Sequence, residues 1–168
     1  MKIQRIPNLV VFLILLTFSI TVTMPKVEHS AHINLIEYIS TKYKKDPKLI
    51  ELIVLEAEKH SNKDSFPTIH DTLAIISIES AFKPTAVSKS KAKGLMQVLY
   101  TKTSFNIKEN ISKGIWLLKD YRSRLVDIDS VVQSYNLGIG NFKNGMRNQD
   151  YLNKFKQAKE ELKNEDIL

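Results

Sequence analysis

The stretch Leu73-Ala74-Ile75-Ile76-Ser77-Ile78-Glu79-Ser80 constrains this chain more than any other. It reads as a buried helix that carries one carboxylate near its C-terminal end. Pro67 is placed to open that helix, because a first-turn proline gives up only a hydrogen bond that was orphaned anyway. Pro84 marks the latest stop, since the residue before a proline is pushed out of the helical region. At helical spacing Glu79 lies above Ile75 and Ile76, so its side chain follows an apolar face. A carboxylate there must find a partner or keep its proton, because desolvation disfavours the charged form. Keeping a proton near neutral pH is what a general acid requires. A structural glutamate paired with Lys or Arg is the equal alternative on this segment alone.

The rest of the chain reads as helical. Leu35, Ile36, Ile39 and Tyr43 recur at helical spacing after a polar connector, Lys26 to His32. Asp46-Pro47 is an N-cap and first-turn pair, followed by an apolar stripe of Leu49, Ile50, Ile53, Val54 and Ala57 that runs to about His60. Ser61 to Ser65 is a polar turn, and Lys83 to Gly94 is irregular and basic. Asn110 is expected to cap a helix bearing Ile111, Ile115, Leu118, Arg122 and Leu125. Asp129 is expected to cap a short one through Val131, Val132 and Tyr135, ended by Gly138 and Gly140. Asp150 is expected to cap the last, through Tyr151, Leu152, Phe155 and Ala158. No repeat, low-complexity tract or useful strand alternation is present. The fold class is all-α.

Composition narrows the chemistry. The 168 residues suffice for one domain with a real core plus extensions. There is no cysteine, which removes disulfides, thiolate metal sites and a cysteine nucleophile. The net charge of +7 favours a polyanionic setting, and nucleic acid, anionic lipid and the acidic bacterial wall all qualify. The N-terminus separates them. Lys2 and Arg5 precede a stretch from Ile6 to Pro25 without a charge, the pattern of an export signal. Left uncleaved, it would form about 30 Å of helix, just enough to span a membrane. Residues 1–25 are therefore read as a signal peptide or membrane anchor, the two left open. Residues 26–45 form a connector and short helix, and 46–168 the folded domain. The expected location is outside the cytoplasm, in the periplasm or envelope.

Three motifs in order change the reading of Glu79. They are Glu79-Ser80-Ala81-Phe82-Lys83-Pro84 with Ala86 and Ser88, Ala92-Lys93-Gly94-Leu95-Met96-Gln97, and Ser134-Tyr135-Asn136-Leu137-Gly138-Ile139-Gly140. Between and after them stand Asn110-Ile111-Ser112-Lys113-Gly114 and Tyr151 with Lys154 and Phe155. Together, over about residues 67–157, they resemble the family 1 lytic transglycosylases, lysozyme-like enzymes that cut the glycan strands of bacterial peptidoglycan. Some positions depart from the pattern. Lys91 stands where a glycine is usual, Val98 to Lys102 replaces the usual continuation after the glutamine, and Ser134 replaces an alanine. These departures bear on the shape of the substrate groove rather than on a reacting group. A short exported member also looks like the enzymes that open the wall for secretion, conjugation or phage entry.

The resemblance implies a role for each matched residue. Glu79 is the acid that protonates the leaving oxygen and then, as a base, helps the muramyl 6-hydroxyl close onto the anomeric carbon. The product is a 1,6-anhydro sugar, and no cofactor or metal takes part. Ser80 and Gln97 hydrogen-bond substrate or orient loops, with a turn-capping serine and a solvated glutamine as the plainer readings. Met96 lines the cleft or fills the core. The Tyr135 hydroxyl meets the catalytic carboxyl, and Asn136 binds an N-acetyl group or ends its helix. Asp71, Glu109, Asp127 and Asp129 match no catalytic position. His29 and His32 read as solvated, lacking a third ligand, and Trp116 reads as core. A hydrolytic muramidase would need a second carboxylate. A non-catalytic wall-binding scaffold of an envelope-spanning machine would not need an acid on an apolar face. A nucleic-acid binder has the charge but no basic-aromatic motif.

Overall fold

The computed structural model describes residues 32–99 and 105–167. The N-terminal segment 1–25, the connector up to residue 31 and His29 lie outside the described residues. Among the described residues the chain forms helices α1 (Ile33–Tyr43), α2 (Pro47–His60), α3 (Ile69–Ser80), α4 (Ile107–Arg124), α5 (Ile128–Leu137), α6 (Ile139–Lys143) and α7 (Gln149–Ile167). No strand accompanies them, only isolated bridges in the segment between α3 and α4. No described helix is long and apolar enough to cross a membrane.

Helix α3 is the centre of the molecule. Every residue from Asp71 to Ser77 is buried, so the helix is covered on all sides instead of along one stripe. Leu73, Ile75 and Ile76 are fully enclosed, each contributing about 1.5–3 kcal/mol by leaving water. Helices α7 and α2 pack directly against α3, α4 packs against α2 and α5, and α1 packs against α2 and α7. Phe82, just past the end of α3, is fully buried and meets the Tyr43 ring at 4.8 Å.

The helix starts differ from several sequence expectations. Pro67 does not open α3. Thr68 is its N-cap, in a capping box with Asp71 in which each side chain takes the other's backbone N–H. Asn106, not Asn110, caps α4. Asp127, not Asp129, caps α5. The side chain of Asn148, not Asp150, receives the Tyr151 N–H at the start of α7. The upstream cap adds a full turn to α4 and brings Ile128 into α5. Chain ends move for similar reasons. Helix α3 stops at Ser80, four residues before Pro84, as Ala81 turns left-handed at φ 48. Gly138 ends α5, but Gly140 lies inside α6 instead of terminating anything.

One buried charge organises the base of α3. Asp71 is 1% exposed, closes the capping box and meets the Lys159 ammonium of α7 at 2.8 Å. Removing Asp71 takes away the Thr68 N–H acceptor and the Lys159 partner together, although Lys159 is exposed enough to reach water. Asp71→Ala should lower the unfolding free energy by about 2 kcal/mol or more. Thr68→Ala should lower it by only about 1 kcal/mol. Urea unfolding of the two variants checks the ratio, and equal losses would mean that Lys159 contributes nothing.

Candidate active site

Glu79 sits in the last turn of α3, where the continuous burial of the helix relaxes and its carboxyl becomes half-buried. From α7, the Tyr151 hydroxyl donates to Glu79 Oε1 at 2.6 Å. Oε2 has no protein partner among the described residues. Burial pushes the Glu79 carboxyl above its ordinary value of 4.5, and the hydrogen bond from Tyr151 partly opposes that rise. No charged group among the described residues adds to these two causes. The Tyr151 and Tyr135 hydroxyls are driven well above 10.0, first by burial and then by the Glu79 charge, so both remain donors across the physiological range.

The tyrosine bonded to the acid is therefore not the expected one. Tyr135 approaches Glu79 closely enough to feel its charge, but its hydroxyl donates to the Met96 carbonyl at 2.7 Å. Tyr151 was legible as a member of the apolar stripe Tyr151, Leu152, Phe155 and, with Lys154, as part of the closing motif of the resemblance, but without a role at the acid. Periodicity assigns such a residue to the core, and nothing in the spacing says that its hydroxyl crosses to a helix 72 residues away.

The segment carrying Met96 is held by Asn110. Its side-chain oxygen receives the Met96 N–H at 2.8 Å, and its amide donates to the Lys93 carbonyl at 2.9 Å. This task, rather than capping, explains why Asn110 lies inside α4 and is 1% exposed. Two glycines make the approach fit. A Cβ on Gly94, at φ +79, would stand 2.4 Å from the Asn110 amide nitrogen, and one on Gly114 would stand 2.3 Å from the Met96 sulfur. Met96 is consequently fully buried, a core side chain and not a cleft lining.

Gln97, itself at φ +47, donates through Nε2 to the carbonyls of Gly94 at 2.7 Å and Ala86 at 3.2 Å. These two bonds close the loop on itself. Ser80 donates to the Ile76 carbonyl at 3.1 Å, one turn back in its own helix. Asn136 is exposed and accepts from the Asn148 amide at 2.8 Å, joining the end of α5 to the start of α7. Glu79, Tyr135 and the Met96 backbone thus come together with Tyr151, whereas the Ser80, Gln97 and Asn136 side chains engage the protein itself.

Each acid weighed as a second carboxylate is occupied elsewhere. Asp71 lies eight residues down α3, about 12 Å along the axis, in its pair with Lys159. Glu109 pairs with Lys113. Asp127 caps α5, and Asp129 meets Lys156 at 2.6 Å. Two further expectations are corrected. His32 is not solvated: its Nδ1 lies 2.8 Å from Asp166, whose other oxygen meets His70 at 2.8 Å. Trp116 is not core but 59% exposed, because it occupies the face of α4 opposite Ile111, Ile115 and Leu118. Among the described residues no group of His, Asp and Glu is arranged to hold a metal.

A family model described as "Transglycosylase SLT domain" matches residues 68–158, from the cap of α3 to the middle of α7. No curated protein and no solved structure matches the chain.

The raised pKa of Glu79 has a definite sign in stability. The unfolded carboxyl ionises at lower pH than the folded one, so the group's contribution is intact below about 4.5 and is lost as pH rises through the folded value. Glu79→Gln should therefore melt a few degrees above the wild type at pH 7 to 8, with the gap closing at pH below 4. In a carboxyl NMR titration, Glu79 should have its midpoint above 4.5. Tyr151→Phe should raise it further by removing a donor to the ionised form. A midpoint lowered or unmoved in Tyr151→Phe would contradict the geometry.

Proposed function

Because the chain belongs to the transglycosylase SLT domain family, lytic transglycosylases of peptidoglycan, we propose that it cleaves the MurNAc–GlcNAc bond without water, with Glu79 as acid and then base. The observation that carries this reading is a lone carboxyl of raised pKa with one oxygen held by Tyr151 and the other open. In the first step Glu79 donates its proton to the glycosidic oxygen, and the bond from that oxygen to the muramyl anomeric carbon breaks. The substrate's own N-acetyl group stabilises the cation that is left. In the second step the carboxylate takes the proton of the muramyl 6-hydroxyl as that oxygen bonds to the anomeric carbon. The product is a 1,6-anhydro ring, and Glu79 is protonated again.

Tyr151 fits both halves of this cycle as a positioning residue. Its hydrogen bond fixes the rotamer of the acid and steadies the carboxylate between the steps, without the full charge of a cation. A tethered hydroxyl competes well with free water, because its effective concentration can exceed that of bulk solvent by orders of magnitude. A hydrolase would instead call on a second carboxylate as base or nucleophile, and the four weighed here are engaged away from Glu79.

Digests of purified sacculi should carry 1,6-anhydromuramyl ends that resist borohydride. Reducing ends in their place, read by mass spectrometry, would make the enzyme a hydrolase. Glu79→Gln should lower turnover about a hundredfold or more while glycan binding persists. A variant that clears the wall at near wild-type rate would leave only a non-catalytic, wall-binding role. Activity should fall on the alkaline side as Glu79 loses its proton, and Tyr151→Phe should move that limb to higher pH. We further propose that residues 1–25 carry the enzyme out of the cytoplasm to this substrate. A reporter fused after Pro25 should then be active only outside the cytoplasm, and activity confined to the cytoplasm would refute it.

A further inference from the structure

From Thr72 to Lys108 the chain contains six lysines and a single acid, Glu79, a net of +5 against +7 for the whole protein. Most of the excess charge is thus concentrated in the turn-rich segment that leaves the acid-bearing helix. Part of that segment is a short, backbone-paired arm. Val87 and Lys93 form an antiparallel bridge, as do Lys93 and Val98. The Gly94 N–H donates to the Ala86 carbonyl at 2.9 Å, and the Ser88 N–H to the Ala92 carbonyl at 3.0 Å. The Ser88 hydroxyl takes the Ala92 N–H at 3.0 Å. Past the base of the arm stands Met96, whose carbonyl receives the hydroxyl of Tyr135, the tyrosine near enough to Glu79 to feel its charge. Its tip, Lys89 to Lys91, lies three to five residues beyond Ala86, about 10–15 Å of chain.

The tip is held in one shape at a cost. Lys91 has φ +65, a left-handed conformation that is strained for a residue with a Cβ and free for glycine. The Lys91 N–H closes the turn on the Ser88 carbonyl at 3.0 Å. Lys83, Lys89 and Lys91 are exposed, and none meets a carboxylate among the described residues. By contrast, Lys42, Lys113, Lys154, Lys156 and Lys159 each contact an acid. Two aliphatic side chains of the same segment are exposed, Val87, bridged to Lys93, and Leu99, which follows the second bridge. A rigid edge with unpaired ammonium groups next to small apolar surfaces suits a short peptide that bears free carboxylates and methyl groups.

We propose that the arm from Lys83 to Lys93 binds the carboxylates of the stem peptides flanking the scissile bond, so that the enzyme selects peptide-bearing glycan over denuded glycan. This rests on the reading of Glu79 as the acid of a peptidoglycan transglycosylase. Lys89 and Lys91 act on substrate choice and leave the chemical step to Glu79.

The test separates affinity from cleavage. The full chain carrying Glu79→Gln is titrated with labelled, uncrosslinked glycan strands, either bearing their stem peptides or stripped of them by an amidase. Peptide-bearing strands should bind more tightly. Adding Lys89→Gln with Lys91→Asn should reduce that preference by about threefold to tenfold, the size expected of two exposed charge pairs. Affinity for stripped strands should not change. Asparagine tolerates the left-handed turn, so the melting temperature should not fall. In the Glu79 enzyme, the same pair of substitutions should raise KM for peptide-bearing strands and leave kcat unchanged. An affinity ratio that is the same with and without the two lysines would overturn the proposal. So would a polyglycerol phosphate that competes as well as free stem peptides, since the arm would then be a general polyanion surface. Absence of anhydro ends from both strands would overturn the transglycosylase reading instead, while the affinity ratio still decides the role of the arm.

Discussion

A carboxyl at the end of a helix covered on every side has to receive its hydrogen bond from another part of the chain, and here the bond from Tyr151 meets that need. Burial alone would hold the proton on Glu79 too tightly, because nothing would steady the carboxylate left when the proton goes. A lysine or arginine in the same place would pull the carboxyl the other way and spoil the acid. A phenol that stays protonated does neither. It donates to the ionised form strongly enough to moderate the effect of burial and carries no charge of its own. In the proposed cycle, the choice of tyrosine over a cation is what would let one carboxyl serve in both directions.

That bond also explains why α7 packs along α3. The two helices are tied at three levels: Tyr151 to Glu79, Lys159 to Asp71, and Asp166 to His70. Along α3, between these residues, run fully enclosed aliphatic side chains such as Leu73, Ile75 and Ile76. The apolar contacts supply most of the cohesion, and the polar ties fix how far one helix can slide past the other. A carboxyl–phenol distance of 2.6 Å leaves little room for such sliding.

The sequence showed the helices and the acid more clearly than the neighbours of the acid. Apolar periodicity placed α1, α2 and α3 within a few residues, because a buried stripe has a fixed period. It misjudged the caps of α4, α5 and α7, since each start offers two residues able to cap and the stripe does not choose between them. Asn110 and Tyr151 were hidden for a different reason. Each looks locally like something ordinary, a cap or a core aromatic, while its polar atoms are spoken for by residues far away in sequence. Met96 and Trp116 changed places with expectation because burial is decided by what packs opposite. Gly114 opens a space that only the methionine fills, and nothing among the packed helices covers the outer face of α4.

The ties along α7 have one more consequence, for where this domain can be divided. The matched family segment ends at residue 158. Lys159, Leu162 and Asp166 lie beyond it, yet they ground Asp71, complete the core and engage His32 and His70. On the other side, α1 and α2 precede the match and contribute Leu35, Ile39, Ile50 and Ile53 to the same enclosed interior. A fragment trimmed to the recognisable segment would keep every motif and lose much of what holds them at working distance. The unit visible by kinship and the unit that folds are not the same length of chain.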